Sequence, residues 1–396
     1  MTQSTAASTV VLKFGGTSVG TPDRIRAVAQ SVKRYREEFS RVVVVVSAMG
    51  QATDDLISLA LDVSPHAKEL ANRREMDMLL SAGERISMAL LSLALSDLSV
   101  KAVSFTGSQS GIITSPAHGE ANIAEIRPIR IEESLNQGRV VIVAGFQGVS
   151  PQKEITTLGR GGSDTTAVAL GAVLGAQKVV IFTDVSGFYS ADPRKVKGAR
   201  QYARLGWDTA LNAAHFGSQV LHPRCVEAAW KQNLPIELKS SFSDVAGTWI
   251  EGVDVSSLEG PKVFSVASQT KLQVADLPLK DMKEAAAILS SLRDQGVKIS
   301  GWKTLGQKIQ IILDEDQDLG VLKKYTHQVR GNLARVTVVG VGLLTSPEPH
   351  AIFQKVLSQS NCTVIESEAQ PTFLSALLEN EKGLDAMVES LHSELI

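Results

Sequence analysis

The sequence predicts a layered α/β domain with a mostly parallel sheet, followed by two copies of a small α+β module. Between residue 10 and about residue 240, short β-branched runs alternate with helical patterns, as in repeated β-helix-β units with helices on both faces of a sheet. After about residue 260 the pattern becomes β-α-β-β-α and occurs twice. A length of 396 residues fits two or three domains better than one hydrophobic core.

The strands of the first part are predicted at residues 10–14, 42–47, 100–105, 140–144, 179–183 and 235–239. Residues 42–46 are five consecutive valines, which suits a central strand buried on both faces of a parallel sheet. Thr21 as N-cap and Pro22 at the first helical position begin a helix between the first two strands. Ligands of such sheets bind at the carboxyl ends of the strands, so we weigh motifs there most heavily.

The two C-terminal copies align on their apolar positions at an offset of about 65 residues. The matched pairs are Ile309 with Leu374, Ile312 with Leu377, Leu313 with Leu378, Leu319 with Leu384 and Leu322 with Met387. A repeat this regular predicts two copies of one module, and coincidental amphipathicity is the alternative.

Composition excludes several classes of partner. Forty basic and 42 acidic residues leave a net charge of −2, which gives no electrostatic reason to expect nucleic acid or an anionic membrane. Cys225 and Cys362 lie far apart and match no metal-binding spacing, so we interpret them as reduced thiols. Residues 1–9 show no signal peptide, and the longest apolar run, about ten residues, is short of the roughly 20 that span a membrane. These features predict a soluble, cytoplasmic protein.

Residues 13–18, Lys-Phe-Gly-Gly-Thr-Ser, follow the first predicted strand and precede the first helix. Paired glycines let backbone N–H groups approach an anion, and a helix N-terminus adds partial positive charge. Lys13 at the strand end is suited to neutralise charge on a transferring phosphoryl group. The motif is not a Walker A loop, because the lysine precedes the glycines. A tight strand-helix turn without a ligand is the alternative.

Residues 159–166, Gly-Arg-Gly-Gly-Ser-Asp-Thr-Thr, open another predicted helix. Three glycines, an arginine and small hydroxyls at a helix start favour a carboxylate or phosphate site. Asp164 in the first helical turn also stabilises a helix without any function, which explains that residue alone but not the cluster.

Residues 183–194 leave the end of a predicted strand. They offer an aromatic face for a base or ribose and an arginine for phosphate, with a plain surface loop as the alternative. At the end of the valine strand, Ser47 and Thr53 are candidates for binding a small polar ligand. A plain helix N-cap is the more common use of a residue such as Thr53, and Glu84 would ordinarily be a solvated helix charge.

Taken together, these motifs resemble the signature of the aspartate kinases, members of the amino acid kinase family, in the monofunctional form with two C-terminal ACT modules. The matching segments are residues 13–19, 159–164, 183–187 and 216–223, in the family's order. The resemblance covers essentially the whole chain, and several motifs in register are far more specific than any one of them.

The resemblance implies an amino acid kinase catalytic domain, an α/β/α sandwich, over residues 1–250. It implies ACT-like modules over residues 262–330 and 331–396. The implied reaction transfers the γ-phosphoryl group of ATP, carried with Mg²⁺, to the β-carboxylate of L-aspartate to give 4-phospho-L-aspartate. That reaction is the entry step to lysine, threonine and methionine and, in some organisms, ectoine. A homodimer and an amino-acid effector at the ACT modules are also implied.

The resemblance also implies roles for individual residues, with no metal ligand from the protein. Lys13 stabilises the transferring phosphoryl group, and Asp164 organises the site. The residues that correspond to the aspartate site are Ser47, Thr53, Glu84, Arg160 and Ser163. The residues that correspond to the nucleotide site are Lys13, Gly15, Gly16, Ser18, Gly161, Gly162, Thr183, Asp184, Tyr189, Arg194 and Gln219. His222, in a Leu-His-Pro turn, is interpreted as structural.

Two departures from the family pattern stand out. Many members carry lysine where this chain has Gln219, so the charge at the nucleotide phosphates is weakened or passes to Arg194 or Arg224. The turns between first strand and helix of the two modules, residues 277–281 and 344–348, contain no glycine. Feedback inhibition by lysine or threonine is therefore expected to be weak.

Three other functions compete with this interpretation. A related kinase acting on glutamate, acetylglutamate or UMP is disfavoured by the form of the first motif and by the double ACT tail. A catalytically silent effector-binding subunit has no need of Lys13, Arg160 and Asp164. A nucleic-acid regulator that senses amino acids lacks any basic DNA-reading element.

Overall fold

A computed structural model describes residues 8–217, 220–252, 262–294, 297, 299–314, 322, 325 and 328–396. The described residues fall into two compact units. The first lies within Met1–Phe188, Tyr202–Trp207 and Val220–Val253, and the second within Tyr189–Gln201, Asp208–Gln219 and Asp254–Ile396.

Strands and helices alternate through the first part of the chain, as the sequence predicts. Its strands are β1 (Thr9–Phe14), β2 (Arg41–Val46), β3 (Ala102–Phe105), β4 (Ile112–Thr114), β5 (Ile123–Ile126), β6 (Val140–Ala144), β7 (Gln147–Val149), β8 (Ile155–Thr157), β9 (Lys178–Thr183), β10 (Arg204–Leu205), β11 (Ile236–Ser240) and β12 (Thr248–Ile250). Its helices are α1 (Pro22–Glu38), α2 (Ala52–Val63), α3 (Arg73–Leu80), α4 (Ala82–Asp97), α5 (Ile129–Asn136), α6 (Gly162–Val173), α7 (Trp207–His215) and α8 (Pro223–Lys231), with a short 3₁₀ turn at Leu70–Asn72.

The main sheet has eight strands in the order β10-β12-β11-β9-β1-β2-β6-β3. Every pair is parallel except β11 with β12. All six strands predicted from the sequence lie in this sheet, with ends shifted by one or two residues. Because β1, β2, β6, β9 and β11 run in the same direction, the segments that follow them meet at one edge. This carboxyl edge carries the motifs after β1, β2 and β9.

Both faces of the main sheet are covered, as the run of valines predicts. On one face Val10, Leu12 and Phe14 of β1 pack in a core with α1 and α4. On the opposite face α6 packs against β1, β2 and β9. Since successive strand side chains alternate between faces, Lys13 points to the face where α6 begins. Thr21 caps α1 as predicted, its side chain accepting a hydrogen bond from the Arg24 N–H at 3.3 Å.

A second, small sheet was not predicted from the sequence. It has four strands in the order β5-β4-β7-β8 and mixes antiparallel and parallel pairs. Its strands are only three or four residues long, which is too short for a recognisable period. The loop after β4 and the turn after β8 both leave this sheet next to the start of α6.

The C-terminal part repeats one arrangement of elements. These are β13 (Lys262–Pro278), α9 (Met282–Asp294), β14 (Ile299–Leu305), β15 (Lys308–Asp314), β16 (Gln328–Val341), α10 (Glu348–Gln359), β17 (Val364–Gln370), β18 (Phe373–Leu378) and α11 (Leu384–Leu395). Their strands form one antiparallel sheet in the order β14-β15-β13-β16-β18-β17. The predicted repeat is confirmed for its first four elements, because β14 and β15 in the first copy correspond to β17 and β18 in the second, while Leu319, predicted to match Leu384, lies outside the described residues. The paired Ile309 and Leu374 are both fully buried.

The turns between first strand and helix differ between the two copies. In the first copy Glu284 accepts from the Lys280 N–H at 2.6 Å and Asp281 accepts from the Glu284 N–H at 2.9 Å, so the start of α9 caps itself. In the second copy β16 ends at Val341, and the turn begins at Gly342, whose φ is +67°. The prediction of a turn without glycine is therefore wrong for the second copy, because its strand ends earlier than the sequence pattern suggested.

One helical stretch in the described chain, Arg73–Asp97, has the length and apolar composition of a membrane span. It is two helices, α3 and α4, separated at Ser81. Met88, Leu91 and Leu95 of α4 are buried in the core beneath the main sheet. The α4 part of the stretch therefore packs as a core helix of this fold.

Candidate active site

An ion pair joins β1 to the first turn of α6. Lys13 Nζ lies 2.6 Å from Asp164 Oδ1, and the two side chains are 12% and 13% exposed, so solvent still reaches the pair. The neighbouring Cys225 is fully buried, and burial first, then the Asp164 charge, raise the pKa of its thiol well above the usual range. Cys225 therefore remains an uncharged thiol, and the reactive charges here are Lys13 and Asp164.

The glycines after β1 allow two backbone segments to lie side by side. The Gly50 N–H donates to the Gly16 carbonyl at 2.9 Å. A Cβ on Gly16 would lie 2.9 Å from the Ala48 carbonyl oxygen, closer than such contacts allow. The Gly15 N–H donates to the Phe182 carbonyl at 3.3 Å, which ties the loop to the end of β9. Because Gly15 and Gly16 have no side chains, their backbone can lie directly against the neighbouring backbone segments at the carboxyl edge.

Ser18 is buried at the same edge, and its Oγ lies 2.5 Å from Ser241 Oγ. Ser241 directly follows β11, and its N–H donates to the Thr183 carbonyl at 2.9 Å. Sequence reasoning missed Ser241 because it begins a Ser- and Gly-rich stretch typical of a linker. The signal that could have identified Ser241 is its position directly after a predicted parallel strand.

Glu84, in the first turn of α4, is only 3% exposed. Its Oε1 accepts from the Ala48 N–H at 3.1 Å, while Oε2 is buried with no hydrogen-bond partner among the described residues. Burial raises the pKa of this carboxyl from 4.5 to about 7, against the lowering effect of its backbone hydrogen bonds. The alternative of a solvated helix charge is wrong. Glu84 presents one anchored and one unpaired oxygen beside Ser47 and the end of β2.

Thr53 does not cap α2. The helix begins at Ala52, with Gln51 as N-cap and no side-chain capping bond. The N-cap prediction was wrong because the Ala52 N–H already bonds the Met49 carbonyl at 2.8 Å, so the chain turns into the helix earlier. Thr53 lies in the first turn, half-buried, with its hydroxyl not needed for capping.

The turn before α6 exposes Arg160 between two glycines in the left-handed region. Gly159 has φ +72° and Gly161 has φ +69°, conformations that favour glycine. Arg160 itself is exposed. A Cβ on Gly161 would lie 2.3 Å from the His222 side chain, so the imidazole closes one side of the turn. Predicted as structural, His222 also caps α8 by accepting from the Arg224 N–H at 3.3 Å.

Ser163 lies just beyond this turn and is buried against the end of β6. A Cβ on Gly145 would come within 2.7 Å of Ser163 Oγ, so the glycine there makes room for the serine. Gly162 is equally confined, with Phe146 and Leu158 within about 3 Å of an added Cβ. The first turn of α6 therefore abuts the ends of β6 and β1.

Arg224 is held by backbone carbonyls of two neighbouring segments. Its guanidinium donates to the Leu158 carbonyl at 2.7 Å and to the Ala121 carbonyl at 3.2 Å. Burial lowers its pKa from the usual arginine value. These contacts argue against the hypothesis that Arg224 replaces the lysine found at the position of Gln219, which itself lies outside the described residues.

The remaining nucleotide candidates fall on two parts of the chain. Thr183 ends β9 at the carboxyl edge, and its hydroxyl donates to Asp184 Oδ1 at 3.0 Å. Tyr189 and Arg194 belong to the second compact unit. There Tyr189 forms a β-bridge with Gln201, and Arg194 pairs with Asp192 at 2.9 Å, which lowers the pKa of Asp192.

The carboxyl edge of the first unit therefore gathers one lysine, two carboxylates, several hydroxyls and glycine backbones. The residues found together there are Lys13, Gly15, Gly16, Ser18, Ser47, Glu84, Gly161, Gly162, Ser163, Asp164 and Thr183. In the described parts of the chain no three His, Cys, Asp or Glu side chains form a metal-binding group. Such an edge suits an anionic substrate and a phosphate-bearing cosubstrate.

Comparison with known proteins agrees with this chemistry. The profile of the Amino acid kinase family matches residues 8–240. The aspartokinase of Geobacillus stearothermophilus is 40% identical over 397 residues, covering 97% of this chain and 96% of that protein. The aspartokinase of Mycobacterium tuberculosis is 39% identical over 406 residues, covering 97% and 95%.

Two solved structures of E. coli aspartokinase III share the fold. The complex with aspartate and ADP (R-state) superposes with a TM-score of 0.83 at 26% identity, covering 98% of this chain and all of that one. The complex with lysine and aspartate (T-state) gives 0.71 at 26% identity, covering 98% and 99%.

The chain has a mostly parallel sheet with a site at its carboxyl edge, and the family profile matches more than half of its length. The chain therefore belongs to the amino acid kinase family. Within that family it belongs with the aspartokinases, to which it is similar from end to end. The predicted fold is confirmed, including the antiparallel sheet built from two ACT-like repeats. The chain is an aspartate kinase, an enzyme that phosphorylates aspartate at the expense of ATP.

Proposed function

We propose that the chain transfers the γ-phosphoryl group of Mg·ATP to the β-carboxylate of L-aspartate, giving 4-phospho-L-aspartate, at the carboxyl edge of the main sheet. The observation that carries this proposal is the Lys13–Asp164 pair at the junction of the two glycine motifs. Lys13 stabilises the charge on the transferring phosphoryl group, and Asp164 holds the lysine in place.

Aspartate binds between α4 and the turn before α6. Arg160 clamps a substrate carboxylate, because its fork of donors matches two oxygens and its residue is exposed to solvent next to the start of α6. The unpaired Oε2 of Glu84 meets the substrate ammonium group. Hydroxyls of Ser47, Thr53 and Ser163 complete the pocket.

The nucleotide phosphates lie along the backbone of Gly15, Gly16, Gly161 and Gly162, with Ser18 near the reacting groups. Helix N-termini and glycine backbones attract phosphate without a side chain. Thr183 and Asp184 supply further contacts to the nucleotide, and the roles of Tyr189, Arg194 and Gln219 stay predictions from the family resemblance. Mg²⁺ carried on the phosphates would neutralise part of their charge, with no ligand from the protein.

The mechanism needs no general base. A carboxylate nucleophile is already ionised at neutral pH, so no residue has to remove a proton from it. Catalysis is positioning of the two substrates together with charge stabilisation around a loose phosphoryl transition state. Glu84 takes part only in binding, and it does so in its ionised form.

In the cell, we infer a cytoplasmic enzyme at the first step toward lysine, threonine and methionine, with ectoine as a further product in some organisms. The chain works as a homodimer. Residues 1–250 form its catalytic domain, and residues 262–330 and 331–396 its two ACT-like modules. E. coli aspartokinase III, which shares the fold, was solved in complex with lysine and aspartate in a T-state, and this supports the proposal that an amino acid acts as an effector.

The proposal is tested by trapping the product with hydroxylamine, which converts an acyl phosphate to a hydroxamate. L-Aspartate should yield hydroxamate in the presence of Mg·ATP. L-Glutamate and N-acetyl-L-glutamate should yield none, and UMP should stimulate no ATP turnover. Hydroxamate from another acid at a higher rate than from aspartate would assign a different substrate.

A further inference from the structure

A buried carboxylate that the proposed chemistry does not use lies on α3. Asp77 is 1% exposed. Its Oδ2 lies 2.7 Å from His118 Nδ1, its Oδ1 accepts from Thr157 Oγ1 at 2.5 Å, and both oxygens lie 3.1 Å from the Gly119 N–H. Charge-assisted hydrogen bonds in a buried setting are strong, so these three donors are held firmly.

The three donors come from two segments, one of which leads into Arg160. His118 and Gly119 lie in the loop between β4 and β5, which we call the backing loop (residues 118–122). Thr157 is the last residue of β8, three positions before Arg160. Asp77 therefore joins the backing loop to the strand that leads into the arginine turn.

The backing loop also touches the arginine turn directly. The Ala121 N–H donates to the Thr157 carbonyl at 2.8 Å. A Cβ on Gly159 would lie 3.2 Å from the Gly119 carbonyl oxygen, so the two backbones are in close contact. Arg224 bridges them a second time, through the Leu158 and Ala121 carbonyls. Movement of the backing loop would be passed to the backbone that leads into Arg160.

We propose that Asp77 is a positioning residue for aspartate binding: by anchoring the backing loop and Thr157, it fixes the turn that presents Arg160 to the substrate carboxylate. The inference rests on the proposed role of Arg160. The Asp77–His118 pair is not a catalytic base, because the ionised β-carboxylate of aspartate offers no proton to remove. Its effect therefore falls on the affinity for aspartate.

The test uses two neighbouring threonines of β8. Thr157→Val removes one donor to Asp77, and Thr156→Val is the matched control, because its hydroxyl lies 2.5 Å from Thr114 Oγ1 and not at Asp77. Both variants lose one buried hydroxyl from the same small sheet. Thr157→Val should raise the KM for aspartate by roughly 3- to 10-fold, with the KM for ATP and kcat unchanged. Thr156→Val should leave all three constants near wild type.

A double-mutant cycle with Arg160→Ala decides whether the effect passes through the arginine. In that background Thr157→Val should add no further rise in the KM for aspartate. An equal rise in both backgrounds, or an equal rise with Thr156→Val, would overturn the inference. If Arg160→Ala alone leaves the KM for aspartate unchanged, the proposed role of Arg160 fails and the link from Asp77 fails with it. Asp77→Ala should raise the KM for aspartate more than Thr157→Val does, in a variant whose circular dichroism spectrum is that of the wild type.

Discussion

Lys13 Nζ and Asp164 Oδ1 are 2.6 Å apart, although 151 positions separate the residues in the sequence. β1 delivers the lysine to the face where α6 begins, and the first turn of α6 supplies the carboxylate. The pair therefore depends on the parallel order of β1 beside β2 and β9. The fold thus positions the ammonium group and the carboxylate that the proposed mechanism uses.

Replacing Lys13 by Met should lower kcat by about 10²–10³ while leaving the fold intact, because removal of one preorganised charge-stabilising group costs that much. Lys178→Met is a matched control, since Lys178 is also a partly buried lysine paired with a carboxylate, Glu237, on the same sheet. It lies at the amino end of β9, away from the site, and should keep near wild-type kcat. A folded Lys13→Met variant with normal turnover would remove the role assigned to the lysine.

The raised pKa of Glu84 predicts a pH-dependent affinity for aspartate. Burial raises this pKa from 4.5 to about 7, and the substrate ammonium group requires the ionised form. The apparent KM for aspartate should therefore fall about tenfold from pH 6 to pH 8 and level off above that. Glu84→Gln should show a higher KM without this slope. An unchanged slope in the variant would assign the titration to another group.

The same shift has a consequence for stability. Between pH 4.5 and about 7 the folded chain keeps a proton on Glu84 that the unfolded chain has lost. This group therefore lowers the free energy of unfolding as the pH rises through that window. Urea unfolding at pH 5 and pH 8 should show a smaller loss of stability for Glu84→Gln than for the wild type.

Gln219→Lys restores the residue common in the family and adds a charge beside the proposed phosphate site. Arg224 already donates to two backbone carbonyls, which argues against it as the cation at the phosphates. The KM for ATP should fall while the KM for aspartate stays constant. Weaker ATP binding would indicate that Arg194 or another cation already fills the position.

The C-terminal repeats predict a homodimer with weak inhibition by single amino acids. At the start of α9, the side chains of Glu284 and Asp281 already accept hydrogen bonds from backbone N–H groups. The carboxylate of an effector would need such N–H groups for its own binding. Gly342 makes the second turn more permissive, so any response should arise there. Mass measurement in solution should give twice 42.3 kDa, and titration with lysine and threonine should show no micromolar inhibition. A monomer would contradict the first statement, and micromolar inhibition the second.

Much of the fold was predictable because its elements follow long, regular patterns of apolar residues and helix-start residues. The five valines of β2, the Thr21–Pro22 helix start and the offset of the C-terminal repeat all correspond to observed elements. The small sheet was not predictable, since its strands are too short to show a period. Nevertheless, the loop between β4 and β5 of this sheet is the backing loop, which contacts the turn before Arg160.

The candidate site was predictable only as far as its motifs are contiguous. Glu84 is recognisable as a member of a family pattern, but its contact with the Ala48 N–H depends on how α4 packs against the end of β2. Thr53 was misread as an N-cap because a turn at residues 49–52 starts α2 earlier. Asp77 gave no signal, because a single acidic residue in an amphipathic helix normally faces solvent.

The most direct test of the account is the effect of Arg160→Ala on the two substrate constants, measured with each substrate varied at saturation of the other. Since the arginine is assigned to the carboxylate of aspartate, the KM for aspartate should rise by at least about tenfold and the KM for ATP should stay within about twofold. Arg85→Ala, on α4 beside Glu84, serves as a nearby arginine control. A rise in the KM for ATP with an unchanged KM for aspartate would contradict the account, because the two substrates would then occupy each other's assigned places.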